Sequence, residues 1–431
     1  MRRIVTVLLA TAALAGPSTR DPVASRAQRR DRLAQHLGRD YGLVLGQPLT
    51  DIMQPRQEAH FLYLTGVDDP DASLLVAGAQ ARPLALPSRK GKVKTREVLF
   101  LRDANPRFAH FFGLRYPPNA ATAEKLGVQT TRAAPRGGAG LARALLPLLP
   151  KRARLHVPAY KGRDHGLVRE IRRDLVETLL KSRRDLEIVD LHAELSRMRS
   201  VKDACELDAL ARAVDVTLGA FRDALSHIRP GSTEGAVDGA LLQGVRRRNG
   251  RPAYGFVVAA GANATIPHYF RNEAPLHEGD LVVIDAGAAI DRYAADVTRT
   301  FPVSGTFTKR QREVYTAVLE AQRAGIAAVK PGATLQTVDA AARRVLKKAG
   351  LSRHFIHATC HHVGLDVHDP GPTKLLAGMT ITVEPGVYIA AEKLGVRIED
   401  TVLVTEKGVR VLSRGFPKDP DEIERLLKKA R

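Results

Sequence analysis

Nine residues, His361 to Asp369 (HHVGLDVHD), hold three histidines and two aspartates around one glycine. Imidazole and carboxylate are the usual inner ligands of a divalent metal, and they are also the usual general acids and bases of hydrolysis. The stretch alone does not choose between these chemistries and a His-rich surface turn, so partners must come from elsewhere in the chain.

They come from a repeat. His227–Gly250 (HIRPGSTEGAVDGALLQGVRRRNG) and Ala328–Gly350 (AVKPGATLQTVDAAARRVLKKAG) share one plan: a basic residue, Pro-Gly, a Ser/Thr cap region, an amphipathic helix, a basic cluster and a stopping glycine. Their Pro-Gly pairs lie 101 residues apart. An apolar run then ends on an acid in each copy, LVVIDAG on Asp285 and TITVEPG on Glu384, 55 residues after Pro230 and 53 after Pro331. A second strand follows with another acid, Asp296 in YAADVTRTFPVSG and Glu399 in VRIEDTVLVTEKG. Such a period marks a duplicated supersecondary unit, since a solenoid needs more copies.

Two hairpins of this kind can point four acids at one place between the halves. In strands this apolar the acids would lie inside, where uncompensated carboxylates are prohibitively costly. A cationic group must sit among them. Two divalent ions match the four charges, and one histidine of the His-rich stretch completes an oxygen-dominated set that favours Mn²⁺, Co²⁺ or Zn²⁺ over copper or iron–sulfur chemistry. Two ions about 3.5 Å apart can share a water, lower its pKa and hold the attacked carbonyl. That is the chemistry of a hydrolase.

The elements that must position these groups fill the second half of a 431-residue chain, long enough for two domains and, at 44% hydrophobic, able to bury proper cores. Up to about residue 195, strands (ASLLVAG, EVLFLR, LEIVDL) alternate with helix (HGLVREIRRDLVETLLKSRRD), as in an α/β domain. A long helix, with Ser200 as its N-cap, is expected to open the second domain near residue 196. At the start, MRRIVTVLLATAALAG has a basic n-region, an apolar run and an Ala13-Leu14-Ala15 cleavage pattern, so residues 1–15 read as a secretory signal peptide and the protein as exported, periplasmic or secreted. No stretch approaches ~20 uninterrupted apolar residues, so no membrane association is expected of the mature form.

Two cysteines, Cys205 and Cys360, exclude a disulfide framework, and Cys360, with small neighbours, reads as a buried structural thiol. The formal charge of +21 becomes +19 without the first fifteen residues, which carry Arg2 and Arg3 and no acid. The basic residues are spread along the chain, tryptophan is absent and no recognition motif stands out, so nucleic acid is not an expected partner. The densest cluster, SRKGKVKTR (Ser88–Arg96), reads as a solvated hairpin loop.

In order, VVIDAG, ADVTRTFPVSG, HHVGLDVHDPG, MTITVEPGVYI and VRIEDTVLVTEKG resemble the successive signatures of the pita-bread metallopeptidases, in particular aminopeptidase P and proline dipeptidase, over about residues 196 to 415. The resemblance implies an α/β (α+β) fold in which a smaller α/β domain (26–195) precedes a pita-bread catalytic domain (196–431). It implies Asp285, Asp296, His361, Glu384 and Glu399 as ligands of two metal ions, most often Mn²⁺, with Asp296 and Glu399 bridging and Glu384 also handling the proton of the attacking hydroxide. It further implies that His368 contacts substrate near the scissile carbonyl, that His268 acts around the tetrahedral intermediate, and that His357 and Tyr254 line the substrate pocket. Arg397 is expected to orient carboxylates through an ion pair, and His362 to face away.

The implied activity is removal of an N-terminal residue from a following proline in proline-containing peptides, by a homodimer or homotetramer. Dipeptidase activity and a catalytically silent binding protein on the same fold are the alternatives. The segment DIMQPRQEAHFLYLTGVDDPDASLLVAG resembles the opening of the amino-terminal domain of the same family.

Overall fold

The computed structural model describes residues 21–48, 57–88, 91–103, 110, 113, 116–159 and 166–431; the expected signal peptide lies outside them. The chain forms two compact units, Pro22–Arg199 and Ser200–Arg431. Among the described residues no helix is long and apolar enough to cross a membrane.

A six-stranded mixed sheet organises the first unit, in the order Thr131–Ala133, Glu97–Leu101, Ser73–Ala77, Tyr41–Leu45, Arg154–Val157, Glu187–Asp190. Tyr41–Leu45, Ser73–Ala77 and Glu97–Leu101 are buried at every position, which is why they read as continuous runs rather than alternating ones. Helices Gly137–Leu145 and Gly166–Ser182 contribute Leu141, Leu145, Leu175 and Leu179 to the same core. The basic cluster around Lys92 is more than a loop: Leu84–Ser88 and Gly91–Thr95 pair as an antiparallel hairpin, with Lys92, Val93 and Lys94 exposed.

At the junction, the single long helix capped by Ser200 is replaced by two, His192–Ser200 and Ala204–Ala224. Asp203 is the N-cap of the second. Its carboxylate takes the N–H of Cys205 and Glu206, while the Glu206 side chain returns to the Asp203 N–H. This capping box satisfies donors that a continuous helix would not have left open, and so it outcompetes helix propensity through Val201 and Lys202.

The duplication predicted in the second unit is written in its backbone. Thr233 and Thr334, 101 residues apart, cap helices Glu234–Arg246 and Leu335–Lys348. Just before them Gly231 and Gly332 have φ of 79° and 86°, the left-handed region open to glycine, and donate their N–H groups to Leu276 and Leu375. The strand pairs repeat as well: Leu281–Ala286 with Val297–Pro302, and Thr380–Val383 with Asp400–Thr405, both antiparallel.

Threonines join the halves reciprocally. Thr298 Oγ1 donates to Glu399 Oε2 at 2.8 Å, and Thr401 Oγ1 donates to the Asp296 carbonyl at 2.7 Å. Beneath this seam the fully buried Arg299 donates to the carbonyls of Thr298 and Glu399 and pairs with Asp400 at 2.8 Å.

Candidate metal centre

Each half supplies its acids from the ends of paired strands. Asp285 lies in the Leu281–Ala286 strand and Asp296 immediately precedes Val297–Pro302; Glu384 immediately follows Thr380–Val383 and Glu399 precedes Asp400–Thr405. Gly287 lets the first pair close: a Cβ there would meet the Ala295 carbonyl oxygen at 1.9 Å. Asp296, His361 and Glu399 each offer a ligand atom, and these atoms lie within 4.8 Å of one another. His361 Nε2 stands 3.5 Å from Asp296 and 3.3 Å from Glu384. Tyr254 Oη reaches both Asp285 (2.6 Å) and Asp296 (2.5 Å). The structure thus gathers all five ligand-type residues singled out in the sequence.

One guanidinium organises the cluster from below. Arg397 pairs with Asp285 at 2.7 Å, donates to Thr298 Oγ1 at 3.2 Å and to Tyr388 Oη at 2.9 Å, and reaches the Pro267 carbonyl at 3.3 Å. Since Thr298 donates onward to Glu399, one buried cation steadies carboxylates of both halves.

Burial makes this concentration of acid expensive. It raises the Glu384 carboxyl to about 7; Asp296 and Asp285 add to that effect, while His361 and Arg397 oppose it. Glu399 is held well above the usual carboxylate range by burial and then by Asp296 and Glu384, and Asp285 is raised by burial against the pull of Arg397. At His361 burial opposes the charged form, yet the hydrogen bond to Asp296 and the charge of Glu384 outweigh it and lift the imidazole to about 9. Among the described residues Arg397 and His361 oppose this without cancelling it, and an oxygen-rich set with one imidazole suits a divalent ion.

The remaining candidates ring the cluster. His368 is exposed and its ring centroid lies 4.1 Å from that of His361. His268, also exposed, stacks on Phe270 at 5.9 Å. Its loop can lie on the Arg397 hairpin because residue 395 is glycine: a Cβ there would fall 1.9 Å from the Ala264 carbonyl oxygen.

His357 Nε2 meets Tyr388 Oη at 2.9 Å and its Nδ1–H donates to the Ala358 carbonyl, so both nitrogens are committed; burial drops it to about 4. His362 turns to the Pro372 carbonyl at 2.9 Å. Cys360 is buried with its thiol pushed up to about 12, chiefly by burial. The Tyr254 hydroxyl is occupied by two carboxylates. Tyr388 was not singled out in sequence, although it stands in the quoted EPGVYI: its position four residues past Glu384 gave no sign that it links Arg397 to His357.

The fold and site define a metal-dependent hydrolase of duplicated α/β architecture. Residues 208–406 match the family model described as Metallopeptidase family M24, and residues 27–143 match Aminopeptidase P, N-terminal domain. The chain is 32% identical over 405 residues to a Xaa-Pro aminopeptidase of Haemophilus influenzae, covering 86% of this chain and 88% of that protein. It is 36% identical over 249 residues to a Xaa-Pro dipeptidase of Pyrococcus furiosus, covering 56% and 70%. The solved structure of Pseudomonas aeruginosa aminopeptidase PepP superposes with a TM-score of 0.84 at 30% identity, covering 96% of this chain and 99% of that one. The chain belongs to the M24 metallopeptidase family, whose chemistry depends on divalent metal ions.

Proposed function

We propose that this protein is a Xaa-Pro aminopeptidase, cleaving the bond between an N-terminal residue and proline. The observation that carries the reading is the set of four carboxylates from matched positions of a duplicated unit, gathered around His361. Its lead over the dipeptidase reading rests on extent: the aminopeptidase alignment spans 86% of this chain, whereas the dipeptidase alignment spans 56%.

In this reading Asp285, Asp296, His361, Glu384 and Glu399 hold two ions, Mn²⁺ by the hardness of the donors, with Co²⁺ or Zn²⁺ as substitutes. When bound, such ions supply Lewis acidity, lowering the pKa of a water and polarising a carbonyl. Glu384 accepts the proton of the attacking water as the carboxylate base of the site. His268 and His368 steady charge developing on the scissile carbonyl and hand a proton to the leaving nitrogen. His357 and Tyr388 wall the proline side. Proline needs a dedicated site, because its ring fixes φ and the imide has no N–H for a peptidase to hold.

Export through residues 1–15 and assembly as a homodimer or homotetramer belong to the same proposal. The test uses residues 16–431, stripped with chelator and reloaded with Mn²⁺, on Ala-Pro and Ala-Pro-Ala with free alanine measured. Tripeptide cleavage supports the aminopeptidase; cleavage of the dipeptide alone makes the protein a dipeptidase. Two bound ions with neither peptide cleaved overturns the substrate.

A further inference from the structure

The HHVGLDVHD loop is tied down at its far end by a buried ion pair. Lys202 Nζ lies 3.2 Å from Asp369 Oδ2, with each side chain 1% exposed. Lys202 is itself fixed: its N–H donates to the Gly378 carbonyl at 2.9 Å and its ammonium reaches the Ser200 carbonyl at 3.4 Å. The other oxygen of Asp369 takes the Asp366 N–H at 3.2 Å. Gly364 lies so close to this carboxylate that a Cβ would stand 2.5 Å from Oδ2, and its carbonyl accepts the N–H of Ala294, two residues before Asp296.

The connection to the metal centre runs through one carbonyl. The Asp369 N–H donates to the His362 carbonyl at 3.0 Å, and the same oxygen accepts Nδ1–H of His361 at 2.9 Å. In the neutral imidazole that a metal ion requires, a proton held on Nδ1 leaves Nε2 bare, and Nε2 is the atom facing Asp296 and Glu384. Stability alone does not call for the ion pair, since a well-packed apolar pair of similar volume serves as well or better. What the ion pair does supply is an anchor on the chain at Asp369, whose backbone amide faces the His362 carbonyl.

We infer that Lys202 is a positioning residue for the metal centre: its ammonium fixes the Asp369 carboxylate, the Asp369 amide fixes the His362 carbonyl, and that carbonyl sets the tautomer and plane of His361. The inference rests on the proposed assignment of His361 as a ligand. Outer groups of this kind typically change metal affinity or activity by about 10–100-fold.

The test compares Lys202→Arg, Asp369→Asn and the double variant Lys202→Met/Asp369→Asn with the wild type, all as residues 16–431. Mn²⁺ binding to stripped protein is measured by titration calorimetry, folding by thermal melts, and kcat and KM on Ala-Pro-Ala at saturating Mn²⁺. The double variant, which removes both charges of the Lys202–Asp369 pair, is expected to fold, to bind Mn²⁺ about tenfold more weakly and to lose kcat about tenfold at unchanged KM; Lys202→Arg recovers most of both.

A double variant with a lowered melting temperature but wild-type Mn²⁺ affinity and kcat overturns the inference, leaving a structural pair. Should it not fold, the near-isosteric Asp369→Asn decides, and unchanged Mn²⁺ affinity there also overturns it. Wild-type failure on both peptides, with Mn²⁺ binding still weakened in the variants, sinks the substrate reading and supports the positioning role.

Discussion

Glu384 shows how far a side chain's chemistry depends on its surroundings. The residue ends an apolar strand, and burial rather than sequence context lifts its carboxyl to about 7. Replacing it by Gln should lower kcat on Ala-Pro-Ala by roughly 10²–10⁴-fold, the usual span for a positioned proton acceptor, measured at saturating Mn²⁺. Activity within a few-fold of wild type would move the proton to another group. Tyr254 offers a sharper division. From the resemblance it lines the substrate pocket, yet its hydroxyl is hydrogen-bonded to Asp285 and Asp296. Tyr254→Phe should therefore weaken Mn²⁺ binding about tenfold by calorimetry with little change in KM; a KM effect at wild-type metal affinity would return Tyr254 to the pocket. The four acids were legible because carboxylates inside apolar strands are conspicuous. Tyr388 and Thr298 were not, because a tyrosine or threonine in a strand looks the same whether it packs or relays a hydrogen bond.

At the scale of elements, caps and close approaches matter most. Asp203 replaced Ser200 as the cap because only Asp203 has Glu206 three residues on to complete a box. Asp203→Ala should cost about 1 kcal/mol of unfolding free energy in urea, with kcat unchanged; loss of kcat at unaltered stability would contradict a purely capping role. Gly287 has the opposite profile. A methyl group 1.9 Å from the Ala295 carbonyl forces apart the backbone between Asp285 and Asp296. Gly287→Ala should lower both the melting temperature and Mn²⁺ affinity, and a variant that binds Mn²⁺ normally would show that the hairpin tolerates the shift. The repeated Pro-Gly turns, helices and strand pairs could be read from composition and spacing. The break at Val201–Lys202 was only half legible: the Asp203–Glu206 box is local, but the partners that those two residues find at Met379 and Gly378 lie nearly 180 positions away.

For the whole molecule, the buried acids couple folding to metal and to pH. Metal that binds only the folded state adds about 2.7 kcal/mol at a free concentration one hundred times its Kd, so melting temperature should climb with Mn²⁺ and fall on chelation. A melting temperature indifferent to chelator would contradict a metal centre in this core. In stripped protein the Glu384 carboxyl holds its proton up to about 7, against 4.5 for an ordinary glutamate. The folded state binds that proton more tightly than the unfolded one, so the contribution is full below 4.5 and is lost as pH rises through about 7. Over that window stripped wild type should lose melting temperature relative to stripped Glu384→Gln. Parallel curves would show that Glu384 does not titrate there.

What the sequence determined by itself was the duplication, the apolar strands and the four acids that end or open them, with the family resemblance adding His361, because strand runs and residue types are local properties. The tertiary structure decided how those groups are served. It placed Arg397 under both halves, spent the Tyr254 hydroxyl on two carboxylates, and joined Lys202 to Asp369 across 167 positions. Those choices depend on distance in space, and no spacing along the chain encodes a carbonyl that two donors share.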